Sequence, residues 1–247
     1  MSIITVDVEQ EAGAVAVIND PDGSGYHIQL PETTVEVSGA QLAAIVSQGG
    51  PLVGVQASNI KPAFMGDSNM VIRPGVTLEQ TFPAVMAAAL GAADYGVFAY
   101  GGENSSHGVN RLQAVIDYKP NIVFIDYGVN DADTAQGITA AAYEQNMRTI
   151  IGTLTARGIR VVLLAPIFVA ITGYVERQRD YYMPAWYRLA NIPGVTFIDI
   201  YSRMAAMFMQ DGNRTRFDAL YNGSDTMHWG PAGNIWRRDC VKVALGG

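Results

Sequence analysis

Cysteine and histidine are scarce in this sequence: Cys240 stands alone, and His27, His107 and His228 are the three histidines in 247 residues. A lone cysteine excludes an intrachain disulfide. Three widely spaced histidines offer no ligand set for a structural zinc. No apolar run reaches the roughly 20 residues that cross a bilayer. The longest, around Val161 to Ile171, is broken by Pro166. The first residues, Met1-Ser2-Ile3-Ile4-Thr5, lack a basic start followed by an apolar stretch, so no secretory signal is read there and a soluble protein without a membrane partner is expected. Basic residues are outnumbered, 16 Lys and Arg against 23 Asp and Glu, for a net charge of −7. That balance argues against a nucleic-acid partner held through its phosphates. No cationic cluster lies near Cys240 beyond Arg237 and Arg238, and it reads as a core thiol.

What is present fits a packed globular chain: 49% hydrophobic and 16% charged residues, long enough for one large α/β domain and a small appendage. Two textures divide it. Residues 1–57 carry short alternating stretches (Ile4 to Val8, Ala14 to Ile18, Tyr26 to Leu30, Thr34 to Val37), with a turn signal at Pro21-Asp22-Gly23-Ser24-Gly25. Ser38 is placed to cap a helix through Ile45, before Gly49-Gly50-Pro51 breaks it. This segment reads as a small β-rich module or extension. Residues 58–247 instead alternate strand and helix. Apolar strands are predicted at Ala63 to Met65, Val97 to Tyr100, Ile122 to Ile125, Val161 to Leu164 and Val195 to Ile198. Between them Met147, Ile150, Ile151 and Leu154 recur at helical spacing, with Gly158 as a stop. Near-continuous apolar strands alternating with helices predict a parallel sheet covered on both faces.

In such sheets ligands bind beyond the carboxyl ends of the strands. Gly66-Asp67-Ser68-Asn69, Gly101-Gly102 and Gly128-Val129-Asn130-Asp131 each follow a predicted strand directly. Near the C-terminus, Asp225-Thr226-Met227-His228 lies on an expected loop before a last helix that starts near Pro231. Each motif alone is commonplace: a turn serine, a tight turn, a turn asparagine, a loop histidine. Their joint placement supplies what acyl transfer requires. Ser68 is the candidate nucleophile, His228 its base and Asp225 the orienter of the ring. The Ser68 and Gly102 N–H groups and the Asn130 side chain are candidate donors to an oxyanion, with Gly101 one residue away as the alternative glycine. Asp67, Asn69 and Trp229 are candidates to line the substrate. The cluster Tyr174, Tyr181, Tyr182, Trp186 and Tyr187 reads first as packing, and His107 as incidental. No serine stands in G-x-S-x-G, so the α/β-hydrolase elbow is absent.

These motifs, in this order, resemble the four blocks of the GDSL, or SGNH, hydrolase family, whose set is Ser, Gly, Asn and His. Ser68, Gly102, Asn130 and the pair Asp225 and His228 match them, and His228-Trp229-Gly230-Pro231-Ala232-Gly233 fits the stretch after the family histidine. The resemblance covers about residues 60 to 245. Asn69-Met70 departs from the leucine of the family name; Ser-Asn-Met is similar to the sialate O-acetylesterase-like branch, which has Gln at the place of Asp67. The resemblance implies a flavodoxin-like three-layer α/β/α fold and a serine esterase acting on short acyl groups, such as O-acetyl groups on carbohydrate, with no cofactor or metal. A lipase or thioesterase of the same fold, and a non-catalytic carbohydrate-binding or assembly protein, are the alternatives.

Overall fold

A computed structural model describes residues 16–19, 26–30, 33–37, 60–171, 173–210 and 215–246. The chain divides into two compact units, Met1–Gly54 with Leu245–Gly247, and Val55–Ala244. In the first, β1 (Ala16–Asn19), β2 (Tyr26–Leu30) and β3 (Thr33–Val37) form a three-stranded antiparallel sheet. Ile28 stands opposite Val17 on one side and Val35 on the other. The strand expected at Ile4 to Val8, the turn at Pro21 to Gly25 and the helix from Ser38 to Ile45 lie outside the described residues.

The second unit is built on five parallel strands: β4 (Pro62–Gly66), β5 (Gly96–Ala99), β6 (Ile122–Asp126), β7 (Arg160–Leu164) and β8 (Val195–Ile198). They are ordered β5-β4-β6-β7-β8 and have helices on both sides. Counted within the unit this is the order 2-1-3-4-5, the flavodoxin-like arrangement. All five residues of β4 and of β6 are buried, whereas the edge strands β5 and β8 each bury one of four. A central strand roofed on both faces has no solvent side on which to place polar residues, which is why these runs do not alternate. Phe64 and Phe124 stack across neighbouring strands with centroids 4.9 Å apart. Phe82 meets both edge-on at 5.9 and 6.1 Å.

Helices α1 (Phe82–Ala89), α2 (Ser105–Tyr118) and α3 (Ala140–Thr155) each start at a side-chain cap, from Thr81, Asn104 and Thr139 in turn. After β7 come α4 (Tyr174–Arg177), a π turn (Gln178–Tyr182) and α5 (Met183–Ala190). Next are α6 (Ile200–Gln210) and α7 (Thr215–Asp218). The last helix, α8, runs from Pro231 to Leu245. Among the described residues no helix is long and apolar enough to cross a membrane.

One expectation is corrected. Asp225 and His228 do not lie on a loop but on a strand, β10 (Asp225–Trp229), paired antiparallel with β9 (Tyr221–Asn222). Gly223, at φ +67°, makes the tight connection. Pairing is kept at Asp225 with Asn222 and at Trp229 with Tyr221, and the register shifts between them. The residues Thr226 to His228 therefore bulge off the ladder, and a bulge re-aims side chains that regular pairing would fix.

Candidate active site

The β4 strand ends on a turn that permits no side chain at its first position. A Cβ on Gly66 would come within 2.8 Å of the Asp126 carbonyl oxygen and of Met70 Cγ. Beyond it the chain makes one short 3-10 turn, Ser68–Met70, capped by Asp67, whose Oδ1 accepts from the Asn69 N–H at 2.8 Å. Ser68 is left half-buried at the top of the sheet.

His228 reaches it from the β10 bulge. Ser68 Oγ lies 2.9 Å from His228 Nε2, and His228 Nδ1 lies 2.5 Å from Asp225 Oδ2. An ionised carboxylate only accepts, so the Asp225 side places the ring proton on Nδ1 and leaves the Nε2 lone pair facing the serine hydroxyl. Asp225 Oδ1 accepts from the Met227 N–H at 2.8 Å. Partial burial works against ionisation at Asp225, but the Met227 N–H and the His228 ring together hold its carboxyl below the ordinary range.

The two other strand-end loops close on the same point. Gly101 and Gly102 are exposed. A Cβ on Gly101 would stand 4.0 Å from Ser68 Cβ, and Gly102 has φ +79°, a conformation favouring glycine. Asn130 follows β6. Its Nδ2 donates to the Glu103 carbonyl at 2.7 Å and makes a long contact, 3.5 Å, to Asp67 Oδ2. The Glu103 carbonyl can only accept, so it fixes which way the amide points. One amide proton is thereby committed, and the other is held weakly. Ser68, His228 and Asp225 are joined by hydrogen bonds across 160 positions of sequence; Gly101 stands beside Ser68, Asn130 is tied to Asp67 and Glu103, and a Cβ on Gly102 would meet nothing within 4 Å.

Asp67, Asn69 and Trp229, read from the sequence as candidates to line the substrate, are corrected. Their exposures are 1%, 1% and 0%. They are tied into the frame beneath the site instead. The Asn69 side chain accepts from the Trp229 N–H at 3.0 Å and donates to the Met227 carbonyl at 3.4 Å, clasping the serine turn to the histidine strand. The Trp229 ring packs against Trp236 and the Arg237 guanidinium. His107 serves the cap of α2 through Asn104. Of the aromatic cluster, Tyr182 and Trp186 are buried, the Tyr174 hydroxyl donates to the Val129 carbonyl at 3.2 Å, and Tyr181 and Tyr187 are exposed.

Sequence reasoning missed the charged residues under the turn. Arg73 donates to the Ser68 carbonyl at 2.5 Å and also to the Trp229 carbonyl, a second clasp between the same two segments. Arg237, on α8 and fully buried, donates to Asp126 Oδ2 at 2.7 Å and to the Asn69 carbonyl at 3.3 Å. Two buried carboxyls therefore share one buried guanidinium. Burial, reinforced by the Asp126 charge, pushes Asp67 up to about 8. Burial also raises Asp126, against the pull of Arg237. Asp131 braces a different joint. It accepts from the Ser105 N–H at 3.1 Å and the Ser105 hydroxyl at 2.5 Å, binding the Asn130 loop to the start of α2. Burial pushes its carboxyl up to about 6. No motif marks Arg237. Among the described residues no group of three or more His, Cys, Asp or Glu is placed to hold a metal ion.

A family model described as GDSL-like lipase/acylhydrolase matches residues 64–234, more than half of the chain. The chain belongs to that family. Solved structures with the same fold include a lipase/acylhydrolase from Enterococcus faecalis, 19% identical with a TM-score of 0.59, covering 75% of this chain and 95% of that one. A catalytic mutant of Axe2, an acetylxylan esterase from Geobacillus stearothermophilus, is 18% identical with a TM-score of 0.60, covering 77% and 95%. TesA is 20% identical with a TM-score of 0.58, covering 75% and 98%. No curated protein matches the chain. At these identities the structural likeness establishes the fold, and membership of the family establishes a hydrolase.

Proposed function

We propose that this GDSL-family hydrolase is a serine esterase that cleaves carboxylic esters of short acyl groups, acetyl esters of carbohydrate among them. His228 takes the Ser68 proton as Oγ attacks the carbonyl. The tetrahedral oxyanion is held by the Ser68 and Gly102 N–H groups and by the weakly committed proton of Asn130 Nδ2. His228 then protonates the departing alcohol. Water, activated by the same ring, hydrolyses the acyl-enzyme. The observation that carries this reading is the unbroken hydrogen-bond line from Ser68 Oγ through His228 to Asp225, at 2.9 and 2.5 Å.

Preference for a short acyl group is supported by the openness of the site. The His228 and Asp225 side chains are 29% and 38% exposed, and the glycines opposite them face solvent. A long acyl chain gains affinity mainly from burial of its methylenes. The test is hydrolysis of p-nitrophenyl acetate by the wild type and by Ser68→Ala, with folding checked by circular dichroism. The variant is expected to lose at least about 10³-fold in kcat, and a serine-directed phosphonate is expected to add one adduct, on Ser68. A Ser68→Ala protein hydrolysing the ester at the wild-type rate refutes the proposal. An acetyl, butyryl, octanoyl series then reads the acyl preference.

A further inference from the structure

From Tyr127 to Ala132 each successive carbonyl oxygen around Asn130 has a donor, and the donors follow a pattern. The carbonyls of Tyr127, Val129 and Asp131 each accept from a tyrosine hydroxyl: Tyr143 at 3.1 Å, Tyr174 at 3.2 Å and Tyr182 at 2.6 Å. The two between them accept from the loop itself, Gly128 from the Ala132 N–H and Asn130 from the Asp133 N–H, both at 3.1 Å. The Ala132 carbonyl accepts from Arg177 Nε at 2.9 Å. A strand-end loop could leave such groups to water; this one gives four of them to side chains from elsewhere in the chain.

Three of those four side chains come from one helical stretch. Tyr174 and Arg177 lie on α4, and Tyr182 ends the π turn. An unbroken α-helix would carry position 182 about 80° around from position 174. The π turn, closed by the bond from the Met183 N–H to the Gln178 carbonyl, takes in one more residue and reduces that offset, so both hydroxyls reach the same loop. The stretch is anchored from behind by Gln178, which is fully buried. Its Nε2 donates to the Ile167 carbonyl at 3.0 Å, and its Oε1 accepts from the Val169 N–H at 3.2 Å. The stretch is therefore a strut between the loops that follow β6 and β7. Tyr182 Oη also lies 2.6 Å from the Ile138 carbonyl oxygen, so its single proton is shared between the two ends of the 131–138 loop.

The direction of the Asn130 side chain is set at its Cα, where the peptide planes 129–130 and 130–131 meet. Tyr174 holds the first plane by its carbonyl, and Tyr182 holds the next carbonyl beyond the second. We propose that Tyr174 and Tyr182 are positioning residues for Asn130, their hydroxyls holding its amide where it can donate to the oxyanion. This role rests on the esterase reading above, and extends it from the groups that meet the substrate to two that aim one of them. The Glu103 carbonyl fixes the far end of the amide; the tyrosines fix its root. A misplaced donor loses most where charge develops, in the transition state, so the effect falls on kcat.

The test is a double-substitution cycle read on p-nitrophenyl acetate. Tyr174→Phe and Tyr182→Phe, each removing one hydroxyl and keeping the ring, are made in the wild type and in Asn130→Ala. Tyr187→Phe is the control: it lies on α5, and its hydroxyl donates to Asp199 Oδ2 at 2.6 Å instead of to the loop. In the wild-type background each of the two is expected to lower kcat about three- to tenfold with KM held, the worth of one hydrogen bond. In the Asn130→Ala background the same changes are expected to cost less than about twofold, because the group they aim is gone. Tyr187→Phe is expected to alter neither background. An equal proportional loss in both backgrounds, a loss confined to KM, or no loss at all overturns the positioning role and leaves the esterase standing. If circular dichroism shows that Tyr182→Phe does not fold, Tyr174→Phe, at a half-buried position, decides by the same comparison. A wild type inert toward the ester removes the esterase reading, and this role with it.

Discussion

Replacing Arg237 by methionine tests the charge arrangement beneath the Ser68 turn. The guanidinium is fully buried, 4.2 Å from the Phe82 centroid and 5.1 Å from that of Trp229, so methionine fills similar apolar space. What it removes is the 2.7 Å bond to Asp126 and the 3.3 Å bond to the Asn69 carbonyl. Asp126, 2% exposed, is left without its counter-charge, and Asp67, 1% exposed, stands close by. Removing one member of a buried pair costs about 3–5 kcal/mol, because the remaining charge stays desolvated. For a chain of this size that is a fall in Tm of about 6–20 °C. The cost depends on pH. In the variant the Asp126 carboxyl, already raised by burial, loses the group that opposes the rise. The native state then holds a proton that the unfolded chain has released, so stability falls as pH increases above the ordinary carboxyl range. Urea unfolding at pH 5 and pH 8 is the assay: the deficit is expected to be large at pH 8 and clearly smaller at pH 5. Adding Asp126→Leu is expected to recover most of it. A deficit below about 1 kcal/mol at pH 8, or one of equal size at both pH values, refutes the reasoning.

Asn130→Ala is expected to lower kcat on an aryl acetate by about 10²–10³ with little change in KM, since the amide acts on charge that develops only in the transition state. An equal loss confined to KM counts against that role. Asp67→Asn keeps an acceptor for the Asn69 N–H and removes a titration. Asp67 keeps its proton up to about 8 when folded, against an ordinary value of 3.8. Between those values wild-type stability therefore declines with rising pH, and levels off above them. Thermal melts from pH 5 to 9 are expected to show a shallower decline in the variant; parallel curves would show that burial does not govern this carboxyl.

The strands were legible because their burial leaves a pattern in composition. Phe64 and Phe124 lie in unbroken apolar runs, and the observed bounds of β4 to β8 differ from the predicted ones by one residue at most. Ser68, Asn130 and His228 were legible as a set because each stands at a strand end or just before the last helix. Trp229 was misread since adjacency to a histidine says nothing of direction: along a strand neighbouring side chains point to opposite faces. His228 turns to the serine and Trp229 to the core. Arg237 and Arg73 carried no local signal for the links they make across the chain, because Asp126 lies 111 positions from Arg237 and Trp229 156 from Arg73.

By itself the sequence determined the layered α/β architecture and which residues stand at its carboxyl edge, since hydrophobic period and strand-end motifs are local properties. Only the tertiary structure decided which side chains face that chemistry and which support it. The bulge in β10 aims His228 at Ser68, and burial converts Asp67 and Asn69 from neighbours of Ser68 into the frame that holds its turn. Those outcomes depend on contacts between segments remote in the chain, whose energies exist only once the core has closed around them.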